Sequence, residues 1–370
     1  MHLSGSRLLL VAVPAVAASM AVLAFGAVGR SAWIVQVLAI CLACALALAG
    51  ARRSRRNSIR FRPRLILVIT LLGIAVPLLS EAPGPERWAS LGPINLYVAP
   101  VLLPSFLVAC SAWIAGRGRL EHFAFAAIVG ASGLLAAQPD GSQALALLAA
   151  AAVAFARSRS TSPVSIVALA LAALITAWAF SQPDPLQAVA HVEGVFALAL
   201  GRSLIAGVAV IGSAAALVVG LHVSSSGGRT WLSAIAAYYA ALFACSVAGL
   251  TPAPMIGYGA GPWLGFGLMV AVASALDPEV SPGNSSSGTS HRGAASATWR
   301  AKEEVARRVW WTPRAVLVSG LCVNDPSPGL GMTQDAGVIP SEVEGSRSWC
   351  QRKILLRRPS PYPLPASGER

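Results

Sequence analysis

Apolar stretches approaching the roughly 20 residues that cross a bilayer recur along this chain, at residues 8–28, 32–50, 65–80, 96–115, 120–137, 141–156, 163–181, 204–222, 231–250 and 263–276. Within hydrocarbon every backbone N–H and C=O must be satisfied inside the protein, so runs of this length fold as helices. The composition agrees: 55% of the residues are hydrophobic, 12% are charged and the mean hydropathy is +0.66, far from the usage of water-soluble domains. The sequence therefore predicts an all-α polytopic membrane protein with about ten transmembrane helices. The two short stretches flanking residues 138–143 could instead form one broken helix, which would make nine.

Arginine sets the orientation. Residues 51–64, ARRSRRNSIRFRPR, hold seven arginines, and the positive-inside rule assigns such a loop to the cytoplasm. Counted from there, Arg117 and Arg119, Arg157 and Arg159, and Arg229 fall on the same side, together with both termini. The opposite face receives four loops, at residues 81–93, 138–143, 181–193 and 251–262. Of the formal charge of +13, residues 1–277 contribute +9, from 16 Arg, no Lys and seven acids. That charge serves topology and contact with anionic headgroups; it does not imply nucleic-acid binding.

The seven acids are Glu81, Glu86, Glu121, Asp140, Asp184, Glu193 and Asp277. A carboxylate is costly to keep near lipid, so each is a candidate for chemistry, and all but Glu121 and Asp277 belong to the outer face. The Cys41-x-x-Cys44 pair lies inside the second span and reads as helix packing, not as a redox or metal motif. The first span has no convincing cleavage site and is followed at once by another, so it is expected to remain a membrane helix.

The texture of the chain changes at residue 277, which divides a transmembrane domain over 1–277 from a disordered basic tail over 278–370. Residues 277–290, DPEVSPGNSSSGTS, read as a flexible polar linker. Residues 297–311 could form a helix lying on the membrane surface with its tryptophans inserted. Residues 338–346 and 359–370 look like translated bacterial intergenic repeat DNA, so the tail is expected to be a frameshift or readthrough product.

Three outer segments resemble elements of one family. Residues 84–94, GPERWASLGPI, are similar to a "G-x-x-R-W-x-x-L-G-x-I" segment. Residues 134–145, LLAAQPDGSQAL, resemble "QPDxGTAL", and residues 249–262, GLTPAPMIGYGAGP, resemble "GLPLPFxSYGGSS". The family is SEDS, the FtsW, RodA and SpoVE proteins of shape, elongation, division and sporulation. Across residues 8–276 the resemblance implies a divergent, shortened member: a ten-span glycosyltransferase polymerising lipid II into peptidoglycan. It would work at the outer face of the bacterial cytoplasmic membrane in division or elongation, beside a class B penicillin-binding protein. The family's essential aspartate lies in a segment "PE-A-H-T-D-F-I-F-A". Residues 187–198, QAVAHVEGVFAL, resemble that segment, with His191 on the histidine and Glu193 on the aspartate.

The chemistry asks independently for a carboxylate. Transfer from a polyprenyl-pyrophosphate-linked sugar needs the acceptor hydroxyl deprotonated as it attacks the anomeric carbon, and Glu193 can act as general base. The leaving pyrophosphate needs a cation; Arg87 and Arg202 are the outer-face arginines that fit. No cofactor motif is evident, although a divalent cation could sit at the pyrophosphate. Trp88, His191, Asp140 and Tyr258 complete the substrate-binding candidates.

Each residue also has a structural reading. Glu193 stands at the N-terminus of a helix beginning near Gly194, where an acid suits the dipole. Arg87 with Trp88 could anchor at the interface, Asp140 could pin a helix end, and Tyr258 with its glycines could shape a tight loop. Departures from the family bear on this choice. Residues 96–103, LYVAPVLL, stand where the family has an acid and a lysine, the loop before the eighth span is short, and Glu193 is one methylene longer than aspartate. A catalytically inactive scaffold of a division or elongation complex is the alternative. A precursor transporter is disfavoured because no charge lies mid-span.

Overall fold

A computed structural model describes residues 5–276, apart from 57–62, 80–86, 92–93, 117–118, 159, 161, 184–188, 190 and 226–228. The chain divides into units Met1–Ser287 and Gly288–Arg370, and everything described belongs to the first. The linker, the tail and its surface helix, and the acids Glu81, Glu86, Asp184 and Asp277 lie outside the described residues.

The first span comprises α1 (Gly5–Val11) and α2 (Val13–Phe25). Pro14 supplies no N–H to the preceding turn, which interrupts the ladder at Ala12, while Val16 N–H still reaches the Ala12 carbonyl at 3.0 Å. Next come α3 (Arg30–Arg56), whose last turn carries the arginine run, and α4 (Pro63–Ala75), extended by a 3-10 turn at Val76–Leu79 that contains Pro77. Further spans are α5 (Val98–Gly116), α6 (Arg119–Ala137), α7 (Gly141–Ser158), α8 (Pro163–Ser181), α10 (Leu204–Val223), α11 (Thr230–Val247) and α12 (Ala260–Leu276). The short α9 (Val195–Arg202) precedes α10. Among the described residues eight helices are long and apolar enough to cross a membrane, and Pro63–Leu79 and Ala260–Leu276 are shorter apolar ones. Together these make the expected ten.

The stretches around residues 138–143 are two helices. Asp140 ends the ambiguity by N-capping α7: its Oδ1 accepts the Gln143 N–H at 3.2 Å, and its carbonyl accepts the Ala144 N–H at 3.1 Å. One element departs from the sequence reading. Residues expected to be irregular loop and the start of a span form an antiparallel hairpin, β1 (Trp88–Leu91) with β2 (Ile94–Tyr97), in the register Trp88↔Tyr97 to Leu91↔Ile94. That register leaves two residues at the turn, so α5 begins only at Val98.

Packing is densest where α12 lies between α3 and α5, and where α11 lies on α7. Glycine makes the first contact close: a Cβ on Gly267 would fall 2.4 Å from the Ala43 carbonyl oxygen, and one on Gly265 2.0 Å from that of Pro100. Small residues admit backbones to this range, and such contacts drive helix association in lipid. Phe106, Phe125, Tyr238, Tyr239 and Phe266 fill the interior. Val167, Leu174 and Trp178 on α8, and Ile205 and Val208 on α10, point outward, as lipid-facing side chains do.

Contacts gather described residues in or beside the predicted outer loops at one end of this bundle. Tyr97 bonds Asp140, Ser142 Oγ donates to the Leu250 carbonyl at 3.3 Å, and Ala253 N–H donates to the Val192 carbonyl at 3.0 Å. The arginine-bearing end is held separately. Arg157 Nη2 donates to Ser233 Oγ at 2.8 Å and Ser225 Oγ at 3.3 Å, and buried Glu121 accepts from Ser165 Oγ at 2.7 Å.

Candidate active site

Two carboxylates define the outer end, and their surroundings are opposite. Asp140 is 1% exposed. Its Oδ2 accepts the Tyr97 hydroxyl at 2.5 Å while Oδ1 caps α7. Burial first, and then the Asp140 charge, push the Tyr97 phenol well above its ordinary pKa, so the donated proton stays on tyrosine. Arg87 is also buried, and its charge acts on the same phenol in the opposite sense. The network runs on through Gln143, whose Oε1 accepts the Tyr238 hydroxyl at 2.7 Å. Beneath it, the Gln138 amide donates to the Ile74 carbonyl. A small cleft opens beside this network, walled by Tyr97, Gln143, Tyr238, Tyr239 and the prolines of the 251–262 loop.

Glu193 lies on a half-buried ledge formed by residues 189–194. The Val189 carbonyl accepts N–H groups from Val192 at 3.0 Å, Glu193 at 2.8 Å and Gly194 at 3.1 Å, and Glu193 Oε2 closes the turn by accepting the Val189 N–H at 2.7 Å. α9 starts immediately beyond, with Gly194 as its N-cap and no side chain capping it. The acid therefore holds the turn before the helix and does not cap the helix. Like any carboxylate it offers about four lone-pair sites, of which this bond takes one.

The ledge rests on the 251–262 loop. Tyr258 N–H donates to the His191 carbonyl at 3.0 Å, and the His191 and Tyr258 rings stand 6.1 Å apart, tilted. The loop enters through a cap of α11: Gly249 at φ +71 donates to the Ser246 carbonyl and Leu250 to the Cys245 carbonyl, both at 3.0 Å. That 5→2 and 6→1 pair needs a left-handed residue, which glycine supplies.

Six of the seven candidates thus fall into two groups, and Arg202 stands apart. Glu193, His191 and Tyr258 share the ledge. Arg87, Trp88 and Asp140 share the buried network, where Trp88 stacks on Tyr97 at 5.6 Å. Arg87, a candidate ligand for the pyrophosphate, is 5% exposed, and its charge acts on Tyr97. Arg202 is exposed at the far end of α9, about 10 Å of helix rise from Val195. Cys41 is an exposed and Cys44 a half-buried free thiol. Among the described residues no three His, Cys, Asp or Glu side chains converge as metal ligands do.

A search confined to acids and arginines misses Gln36, Tyr97, Gln143 and Tyr238, which supply most of the buried polar bonding. A lone amide inside an apolar span, as at Gln36, is the signal that could have found the first of them.

No family model and no curated protein matches the chain. Among solved structures it is similar to crystal structures of the rod shape determining protein RodA of Thermus thermophilus and of an aspartate-to-alanine mutant of it. Identity is 22% and 21%, the TM-score is 0.57 for each, and the alignments cover 73% of this chain and 95% of RodA. What is shared is the fold: this is a multi-pass helical membrane protein with a SEDS-like architecture.

Proposed function

We propose that the chain is a peptidoglycan glycosyltransferase of the SEDS type, polymerising lipid II or a related polyprenyl-pyrophosphate-linked sugar at the outer face of the bacterial cytoplasmic membrane. The observation that carries the reading is the ledge. A carboxylate stands half-exposed on a turn clamped to a second loop, at the end of the bundle opposite the arginine run that closes α3. The RodA-like fold supports it by analogy of architecture.

In this reading Glu193 accepts the proton of the acceptor sugar hydroxyl as that oxygen attacks the anomeric carbon. The bond to the pyrophosphate oxygen breaks, and polyprenyl pyrophosphate leaves with its negative charge. Arg202, the open guanidinium on α9, meets that charge, while Arg87 is buried and acts on Tyr97. His191 and Tyr258 shape the wall beside the base. Each of these roles is assigned to a side chain of this chain. Membrane lipids surround the spans, and a class B penicillin-binding protein is the proposed partner in division or elongation.

The test is glycan polymerisation by the purified full chain supplied with lipid II. Wild type is expected to give polymer, and Glu193→Gln to reduce the rate about 10²–10⁴-fold, the range general-base catalysis supplies, with the protein still folded. Well-folded wild type that makes no polymer, while associating with its partner in cells, would assign the chain to the inactive scaffold instead.

A further inference from the structure

Gln36 is the one amide of α3 and is 0% exposed, although its neighbours Val35 and Val37 face outward. A primary amide is tolerated at such a position only when its donors and acceptor are matched. Here Nε2 donates to Ser19 Oγ on α2 at 2.7 Å and to the Gly257 carbonyl at 3.3 Å, and Oε1 accepts the Gly259 N–H at 3.1 Å. Two of the three partners are backbone groups on either side of Tyr258. One side chain from a neighbouring span therefore grips that residue's peptide groups from both directions.

The grip is transmitted. Tyr258 N–H holds the His191 carbonyl and Ala253 N–H holds the Val192 carbonyl, each at 3.0 Å, and the next residue is Glu193. Between these contacts Met255 sits at φ +63, a conformation that non-glycine residues keep only where their surroundings over-determine it. Gln36 is the restraint that arrives from α3, and Ser19 ties the same amide to α2.

We infer that Gln36 is a positioning residue: through the 257–259 stretch it fixes the 189–194 turn and so aims the Glu193 carboxylate. Its effect on turnover rests on the proposed role of Glu193; its effect on the turn does not. A displaced base of about 1 Å can cost 10²-fold in rate, which sets the expected size.

The experiment uses the full chain in lipid nanodiscs, with Gln36→Leu and Gln36→Glu beside wild type. In Gln36→Leu, hydrogen exchange over residues 189–194 and 253–259 is expected to quicken roughly tenfold or more while α6 to α8 keep their protection. With lipid II, kcat is expected to fall about 100-fold with little change in KM. The same substitution in a Glu193→Gln background should cost nothing further. Gln36→Glu keeps an acceptor for the Gly259 N–H and loses the donation to Gly257, so it gives an intermediate exchange rate and remains informative if the leucine variant does not fold. Unchanged exchange in both segments overturns the inference, as does an additive loss in the Glu193→Gln background. If wild type makes no polymer, the functional reading fails alone and the exchange result still decides whether Gln36 aims the turn.

Discussion

Asp140 and Glu193 sit on the same end of one bundle and have been placed under opposite regimes. Asp140 is buried, caps a helix with one oxygen and accepts a tyrosine with the other. Glu193 is half-exposed and binds a single backbone N–H of its own turn through its side chain. In a low-dielectric interior an acid with several partners cannot release them without leaving a charge unpaired. An acid at the rim keeps lone pairs for a hydroxyl that arrives from outside. The contrast separates the carboxylate that builds the site from the one that can act in it, although both lie in segments with a family-like pattern.

The sharpest way to break that contrast is Asp140→Ala. It removes the cap of α7 and strands the buried Tyr97 hydroxyl, so a loss of about 2–5 kcal/mol in unfolding free energy is expected, the sum of a lost cap and a lost hydrogen bond to a charged group. Denaturant unfolding of the solubilised protein measures it. Full stability with lost polymerisation would give Asp140 the role assigned to Glu193. A smaller effect isolates one bond: Tyr97→Phe deletes only the hydroxyl donated at 2.5 Å. It should cost about 1.5–3 kcal/mol, the range for a hydrogen bond to a charged group, in the same unfolding assay. A loss of only a few tenths would mean that the other partners of Asp140 satisfy it without the tyrosine.

The membrane scaffold was legible because hydrocarbon permits so few solutions: apolar runs near 20 residues become helices, and their ends moved by only a few residues. The capping role of Asp140 was legible because Gln-Pro-Asp is local turn chemistry, read within three residues. The hairpin at residues 88–97 was not, since four-residue strands carry little periodicity. The partners of the site were also hidden. Tyr97 meets Asp140 across 43 positions, Tyr238 meets Gln143 across 95, and Gln36 meets Gly259 across 223. Pairings at such separations follow from how ten helices stack, which no window of sequence contains. The setting of Arg87 was hidden for the same reason: its outer-loop position was readable, but not its burial or the action of its charge on Tyr97.

The smallest expected effect is the other half of the comparison. Glu193→Gln keeps a carbonyl oxygen that can accept the Val189 N–H, so the turn can still close. Its unfolding free energy should stay within about 0.5 kcal/mol of wild type, as for substitutions away from buried features. That near-silence is what gives the polymerisation assay its meaning, because a rate lost at constant stability belongs to the chemistry of the carboxylate and not to the architecture of the ledge. A stability loss approaching that of Asp140→Ala would erase the distinction, making Glu193 a second structural acid whose charge holds the 189–194 turn against α9. In that case the ledge would be a joint between α9 and the 251–262 loop, which is the property the scaffold alternative needs.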